Sequence, residues 1–251
     1  MLECQQVVGG PGLPDRRKFL IGLGAGLATG AGVFVVPGRA LAATPPDIAA
    51  TAPDLFLPLL HTEARYIGRP EARLPRARVL ERPASERALG ALARAIRQWV
   101  PEAQAAGSSW SATIAAARTL DPFQRLAIVN RFVNQTPWVE DSVNYGVGDY
   151  WADVDAFLEN GGDCEDFAVA KYKLLTALGY HPQRLRVVML VDSRRNRQHA
   201  VTAAWLDERV LLLDALIPNV VEQGEIGHYV PTLSLDRERL FLHTREAPPA
   251  S

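Results

Sequence analysis

The sequence predicts an α+β fold, with helices in the first part of the chain packed on an antiparallel sheet built by the second part. Three observations carry this expectation. Helix-period apolar residues dominate from about residue 85 to 179. After that the chain switches to short apolar runs, RLRVVMLVD, QHAVTAAWLD and ERVLLLDAL, separated by polar turns. No helix-period segment falls between those runs, so a parallel sheet with crossover helices is excluded and an antiparallel meander is expected.

The elements follow in order. Residues 1–42 read as an export signal. Arg16, Arg17 and Lys18 form a basic start, residues 19–36 are apolar, and Ala40-Leu41-Ala42 gives an A-x-A site with cleavage before Ala43. DRRKFL resembles the twin-arginine export motif. The rival reading is an uncleaved anchor, since the run approaches the roughly 20 residues a span needs. Its five glycines make it a poor, weakly apolar helix, and the A-x-A site follows it, so the cleaved signal is preferred. Residues 43–83, rich in Pro, Ala and Arg, read as an extended arm with one short helix near 55–64. Residues 85–100 form a helix capped by Ser85, with Leu89, Leu92, Ile96 and Val100 on one face. Residues 107–111 are a polar break. A second helix starts at Asp121, which caps it, with Pro122 in the first helical position. Residues 134–162 are loop and short helix, dense in acids and aromatics. A helix then begins at GDCED and ends at Gly179, a left-handed cap. Asp207 to Arg209 is a tight hairpin, and HYVPTLSL and RLFLH add one or two late strands.

Composition narrows the function. With 251 residues, 48% of them apolar, and a net charge of −1, the chain has an ordinary globular composition. It carries no basic excess, so nucleic acid is not a partner. Removal of the leader also removes Cys4 and leaves Cys164 as the sole cysteine of an exported chain. A thiol kept in an oxidising compartment asks for a chemical reason.

GGDCEDFAVAKY puts Cys164 at a helix start, where free backbone N–H groups and the helix dipole favour the thiolate. The bland alternative is a small buried apolar cysteine. A nucleophile needs a base, and His199 opens the strand after RLRVVMLVD, a place that can face a helix N-terminus. Asp214, after three leucines in LLLDAL, is a carboxylate at the end of an apolar strand. Such a group is costly unless paired, and an imidazole is one pairing that relieves the cost. Each residue alone also has an ordinary reading, as a surface histidine or a turn aspartate. The acids Asp163, Glu165 and Asp166 surround the thiol. They suit a helix cap, and three carboxylates are too few to complete a calcium shell of six to eight oxygens. Trp138, Tyr145, Tyr150 and Trp151 read first as core and second as a groove lining.

Cys on a helix start, His on one strand and Asp on the next resembles the transglutaminase-like, papain-related cysteine protease core. More narrowly, DYWADVDAFLENGGDCEDFAVAKYKLLTALG with QHAV and LLLDAL resembles the bacterial transglutaminase-like cysteine proteases, the LapG family of adhesin-releasing enzymes. The resemblance covers roughly residues 122–216. Many relatives carry Thr-Pro after the tryptophan where this chain has WADVDAFL, which leaves the substrate-side loop open. It implies a transglutaminase-like fold, with an arm and helices over 43–114, a catalytic core over 115–245 and a tail over 246–251. It implies Cys164 as nucleophile, His199 as base and Asp214 as the orienting carboxylate. It further implies Ca2+ bound at Asp163, Glu165 and Asp166, a large surface adhesin as substrate and a periplasmic location. Its regulator is expected to be an inner-membrane receptor responsive to cyclic-di-GMP.

Two other functions fit the same residues. Transglutaminase or amidase chemistry on cell-wall peptides passes through the same thioester. A non-catalytic binding module on this scaffold would be marked by loss of Cys, His or Asp, and all three are present.

Overall fold

The computed structural model describes residues 58–105 and 107–245. The leader read over 1–42, residues 43–57 of the proposed arm and the tail over 246–251 lie outside the described residues. Seven strands form one antiparallel sheet in the order β1-β7-β6-β2-β3-β4-β5. They are β1 Thr62–Gly68, β2 Leu185–Asp192, β3 Arg197–Leu206, β4 Arg209–Leu213, β5 Val221–Glu222, β6 Tyr229–Leu235 and β7 Leu240–Arg245. The expected meander holds from β2 to β5. The chain then returns so that β6 pairs with β2 on its other edge, and the sheet closes outward through β7 and β1. That return matters for function, because it brings Tyr229 to the level of Asp192, beside the end of β3 where His199 stands.

Two expectations need correction. The short helix near 55–64 is absent from its described part: Leu59 bridges Thr62, and β1 runs from Thr62 along the sheet edge. Glu63 to Tyr66 are all exposed in this edge strand, which leaves no alternating apolar signal to read. The polar break at 107–111 is short, because a helix, α4 Trp110–Ala117, begins inside it with Ser109 accepting from the Ala112 N–H.

The other helices are α1 Pro70–Arg73, α2 Glu86–Trp99, α3 Pro101–Gln104, α5 Pro122–Val133, α6 Asp141–Asn144, α7 Val154–Asn160 and α8 Cys164–Ala177. Caps set their starts as the sequence suggested. Ser85 accepts from the Ala88 N–H, and Asp121 accepts from the Gln124 N–H with Pro122 in the first turn. Gly179 has φ +92°, the left-handed conformation that ends α8.

The helix α8 is the centre of the molecule. It is buried from Cys164 to Leu175, including Glu165, Asp166, Lys171 and Lys173. A helix buried on all sides has no solvent stripe. It packs one sheet face through Val187, Met189, Ala200, Ala204, Leu211 and Leu213, with α2, α5 and α7 around it. The alternate residues Val188, Leu190, Val201, Ala203, Trp205 and Leu212 form a second apolar layer on the opposite sheet face with Leu59, Leu60 and Tyr229. The side-chain period of two separates the layers.

A buried polar chain locks the β1–β7–β6 edge. Thr62 Oγ1 donates to the Leu59 carbonyl at 2.6 Å and meets His243 Nδ1 at 2.8 Å, while His243 Nε2 meets Ser234 Oγ at 2.8 Å. Because the Thr62 hydroxyl proton is committed to Leu59, His243 Nδ1 carries the hydrogen and Nε2 accepts from Ser234. Burial, with the charge of Arg186, lowers the His243 pKa to about 4. The β1–β7 pairing covers His243.

Candidate active site

The start of α8 is shaped by two glycines. Gly161 has φ +81°, and a Cβ there would stand 2.7 Å from the Pro137 carbonyl oxygen. A Cβ on Gly162 would stand 2.7 Å from Asp166 Cβ. Only glycine lets the loop pass under Pro137 and lets Asp166 fold back on it. Asp166 then accepts from the Asp163 N–H at 3.3 Å and from the Ala152 N–H at 2.7 Å. The second bond ties the loop before α7 to the nucleophile helix and sets Trp151 beside Cys164.

Cys164 is the first residue of α8 and is 1% exposed. Its Sγ lies 3.1 Å from Glu165 Oε2. Cys164 and His199 line one narrow pocket with Trp151, Glu165, Met189, Gln198 and Ala200. His199 Nε2 lies 2.9 Å from Asp214 Oδ1. Asp214 is fully buried and also accepts from the Leu216 N–H at 2.8 Å and from the Tyr229 hydroxyl at 2.6 Å. Burial pushes its pKa up. The bond and charge of His199, with the Tyr229 and Leu216 donors, outweigh that and bring it down to about 2. An ionised Asp214 fixes the tautomer: Nε2 carries the proton and donates, and Nδ1 is left as the basic nitrogen of the ring. Asn134 holds the segment from outside, donating to the Asp214 carbonyl at 2.9 Å.

Sequence reasoning named three acids around the thiol; the structure gathers five. Asp141, which opens α6, and Asp149, from the loop before α7, converge on Asp163, Glu165 and Asp166: one carboxylate oxygen each of Asp141, Asp149 and Glu165 lie within 4.8 Å of one another, and so do those of Asp141, Asp163 and Asp166. Asp141, Asp163, Glu165 and Asp166 are at most 5% exposed. The Asp141 carboxylate also accepts from the Tyr150 N–H. One oxygen each of Asp141, Asp149, Asp163 and Glu165 is buried with no hydrogen-bond partner. Both oxygens of Asp166 already accept backbone N–H groups, so its main work is to shape the loop. The cations within reach do not balance this set: Arg76 pairs with Asp149 at 2.8 Å. Burial, and then the charge of Glu165, raise the Asp163 carboxyl; burial raises Glu165 against a lowering hydrogen bond with Asp163, and burial raises Asp166 to about 8. Buried carboxylates that face one another with open oxygens are the donor set of a hard divalent cation, and calcium takes such oxygens. The residues present therefore fit a metal ion. The acids lying at a helix start do form cap contacts, yet a cap does not account for four unpartnered oxygens.

Tyr229, Asp141 and Asp149 are the site residues that sequence reasoning missed. Tyr229 carries no motif, and Asp141 and Asp149 belong to an acidic loop whose fold could not be read. Of the aromatics, Trp138 stacks on Phe167 with centroids 5.8 Å apart, and Trp151 is buried at the pocket wall. Tyr145 and Tyr150 pair at 4.2 Å, with Tyr150 partly in solvent. His228 packs edge-on against Tyr229 at 4.7 Å. His181 accepts from the Gln183 N–H in a turn, away from the pocket.

The profile of the bacterial transglutaminase-like cysteine proteinases (BTLCP) matches residues 101–233, over half of the chain. Among solved structures, Legionella pneumophila LapG is 30% identical with a TM-score of 0.46, over 51% of this chain and 73% of that one. The calcium-bound form of Legionella pneumophila LapG is also 30% identical, with a TM-score of 0.47 over 55% of this chain and 78% of that one. A search of curated proteins returns no match.

Proposed function

The chain belongs to the bacterial transglutaminase-like cysteine proteinases, and from that premise we propose that it is a calcium-dependent cysteine endopeptidase in which Cys164, His199 and Asp214 act as a triad. The observation that carries the proposal is the His199–Asp214 pair at 2.9 Å, opening on the pocket that holds Cys164 at a helix N-terminus.

The chemistry follows from the atoms. His199 Nδ1 takes the proton of Cys164 Sγ as the sulfur attacks the scissile carbonyl carbon. The first-turn N–H groups of α8 face the developing oxyanion. The imidazolium, held by ionised Asp214, returns its proton to the leaving amine, and a thioester remains on Cys164. His199 then removes a proton from water, whose oxygen attacks the thioester, and the thiol is regenerated with the new carboxylate. Cys164 Sγ lies beside Glu165. A calcium ion held by Asp141, Asp149, Asp163 and Glu165 would supply positive charge beside the nucleophile.

The substrate we propose is a large surface adhesin, cut near its N-terminus so that it leaves the cell and the biofilm disperses. The support is the resemblance of residues 150–179 to the adhesin-releasing enzymes. The same resemblance supports an inner-membrane cyclic-di-GMP receptor as regulator. The pattern of residues 1–42 supports export to the periplasm through a twin-arginine leader. The test is cleavage of an adhesin N-terminal fragment by wild type and Cys164→Ser, with calcium and with chelator. Cleavage in wild type with calcium alone is expected. Equal product in all four samples would refute the proposal, and amine incorporation in place of hydrolysis would move it to transglutaminase chemistry.

A further inference from the structure

Away from the triad, a cavity of about 370 Å³ opens beside the C-terminal half of α8. Among the described residues, four cations line it, Arg82, Arg118, Lys173 and Arg237, against one carboxylate, Glu81. They come from four separate segments: Arg82 from the turn before α2, Arg118 from the end of α4, Lys173 from α8 and Arg237 from the turn between β6 and β7. Apolar walls stand between them, with Leu89 of α2 on one side and Pro182 on another. At 1.5 Å per residue, Lys173 stands roughly 13 Å along α8 from Cys164. The cavity shares no lining residue with the pocket of the triad.

The tertiary structure holds these cations around the space. Arg118 Nε donates to the Ala177 carbonyl, also on the cavity wall, at 2.9 Å. That bond uses one of its five N–H groups. The Arg237 N–H donates to Tyr172 Oη at 3.1 Å, and the Tyr172 hydroxyl donates to the Pro182 carbonyl at 3.5 Å. This chain ties the β6–β7 turn to α8. Asp236 stiffens the same turn, accepting from the Glu238 and Arg239 N–H groups at 2.8 Å each. Lys173 is the deepest of the four: it is 5% exposed, and among the described residues no hydrogen bond or ion pair takes up its amine.

Ordinary roles account for part of the set. Arg118 sits at the carbonyl end of α8, where positive charge is favoured. Arg237 Nη2 stands 3.4 Å from Glu238 Oε1, but both side chains are exposed and such a surface pair contributes little. Burial lowers the Lys173 pKa, Asp153 and Asp155 oppose that without pairing with the amine, and Arg82 adds to it. None of these roles explains why four segments bring four cations to one space. Like charges around a cavity repel, and an anion within it relieves the repulsion. One guanidinium fork satisfies a planar carboxylate, whereas the terminal oxygens of a phosphoryl group point in several directions and accept donors from several sides. The volume lies in the range of small-molecule sites, about 300–1,000 Å³.

We propose that this cavity binds a phosphoryl group, carried by a small soluble phosphomonoester or by a lipid headgroup, with Arg82, Arg118, Lys173 and Arg237 as its donors. The site stands whether or not Cys164, His199 and Asp214 act as a triad.

The test uses the full chain with calcium present. Glycerol 3-phosphate is titrated by calorimetry, with succinate as a dicarboxylate of similar charge. Co-sedimentation is measured with phosphatidylcholine vesicles, with and without phosphatidic acid. Saturable binding of glycerol 3-phosphate, or of the vesicles that hold phosphatidic acid, is expected, and which of the two binds identifies the source of the phosphoryl group. Arg82→Gln changes an exposed side chain that packs no core, and Lys173→Met keeps the buried stem while removing the charge. Each is expected to weaken binding about tenfold or more, the loss of one charge-assisted hydrogen bond. Arg209→Gln, at the exposed start of β4, is expected to bind as wild type does. Failure of both probes to bind overturns the inference, and so does binding that Arg82→Gln leaves undiminished in a folded protein. Succinate bound as tightly as glycerol 3-phosphate overturns the assignment of a phosphoryl group.

Discussion

Tyr229→Phe tests the core of the site with the loss of one atom. The Tyr229 hydroxyl donates to Asp214 Oδ2 at 2.6 Å, and the carboxylate is buried with three donors in all. A hydrogen bond to a charged group contributes about 1.5–3 kcal/mol, and removal of the donor leaves a carboxylate oxygen buried and unsatisfied. Loss of the donor also lets the Asp214 pKa rise from about 2, but one hydrogen bond does not carry it near neutrality. Asp214 stays ionised and His199 keeps its tautomer. What is lost is the direction in which the carboxylate holds the imidazole. If the whole cost falls on the transition state, kcat/KM drops by roughly 10- to 150-fold, with KM little changed. The assay is steady-state cleavage by wild type and Tyr229→Phe with saturating calcium, accompanied by thermal melts. A fall in kcat/KM beyond what the melt explains is the expected result. Wild-type kinetics in a folded Tyr229→Phe protein would refute the claim that Asp214 orients His199.

The remaining predictions concern the metal, the base of the sheet and the nucleophile. Calcium at a hundredfold excess over its Kd is expected to stabilise the folded chain by about 2.7 kcal/mol, read as a rise in Tm; Asp141→Asn with Asp149→Asn should abolish the rise, and an undiminished rise places the ion elsewhere. His243 titrates lower in the folded state than its usual 6.5, so the unfolded chain takes up the proton first. Its contribution is present above pH 6.5 and is lost as pH falls toward about 4, by roughly 2–3 kcal/mol. Urea midpoints of wild type and His243→Gln across that window check it, and equal slopes would speak against it. Cys164→Ser should remove cleavage while leaving the calcium-dependent Tm rise intact; loss of both would mean that the substitution disturbs the acid loop.

How much of this was legible depends on how local each cause is. The start of α8 was legible because Asp163, Asp166 and the two glycines act within a few residues of Cys164. The strands β2, β3 and β4 were legible because each is a short apolar run bounded by turns. The strand β1 was not, because its polar residues are held by pairing with β7 about 180 residues away. Asp141 and Asp149 were two acids among several in a loop, and their role appears only when Tyr150 and Ala152 bind the carboxylates of Asp141 and Asp166. Lys171 looked like one more charge in a helix until the sheet covered it.

The sequence by itself determined that one thiol stands at a helix start among acids, that a histidine and an aspartate occupy successive strands, and that helices precede an antiparallel sheet. These follow from caps, turn residues and side-chain periods, which act over one or two turns of chain. Only the tertiary structure decided that β6 returns beside β2, which places Tyr229 on Asp214. It also decided that two distant acids complete the cluster around Glu165 and that Lys171 lies fully buried. Those depend on which backbone edges pair and which side chains lose water, and neither is written in a local pattern.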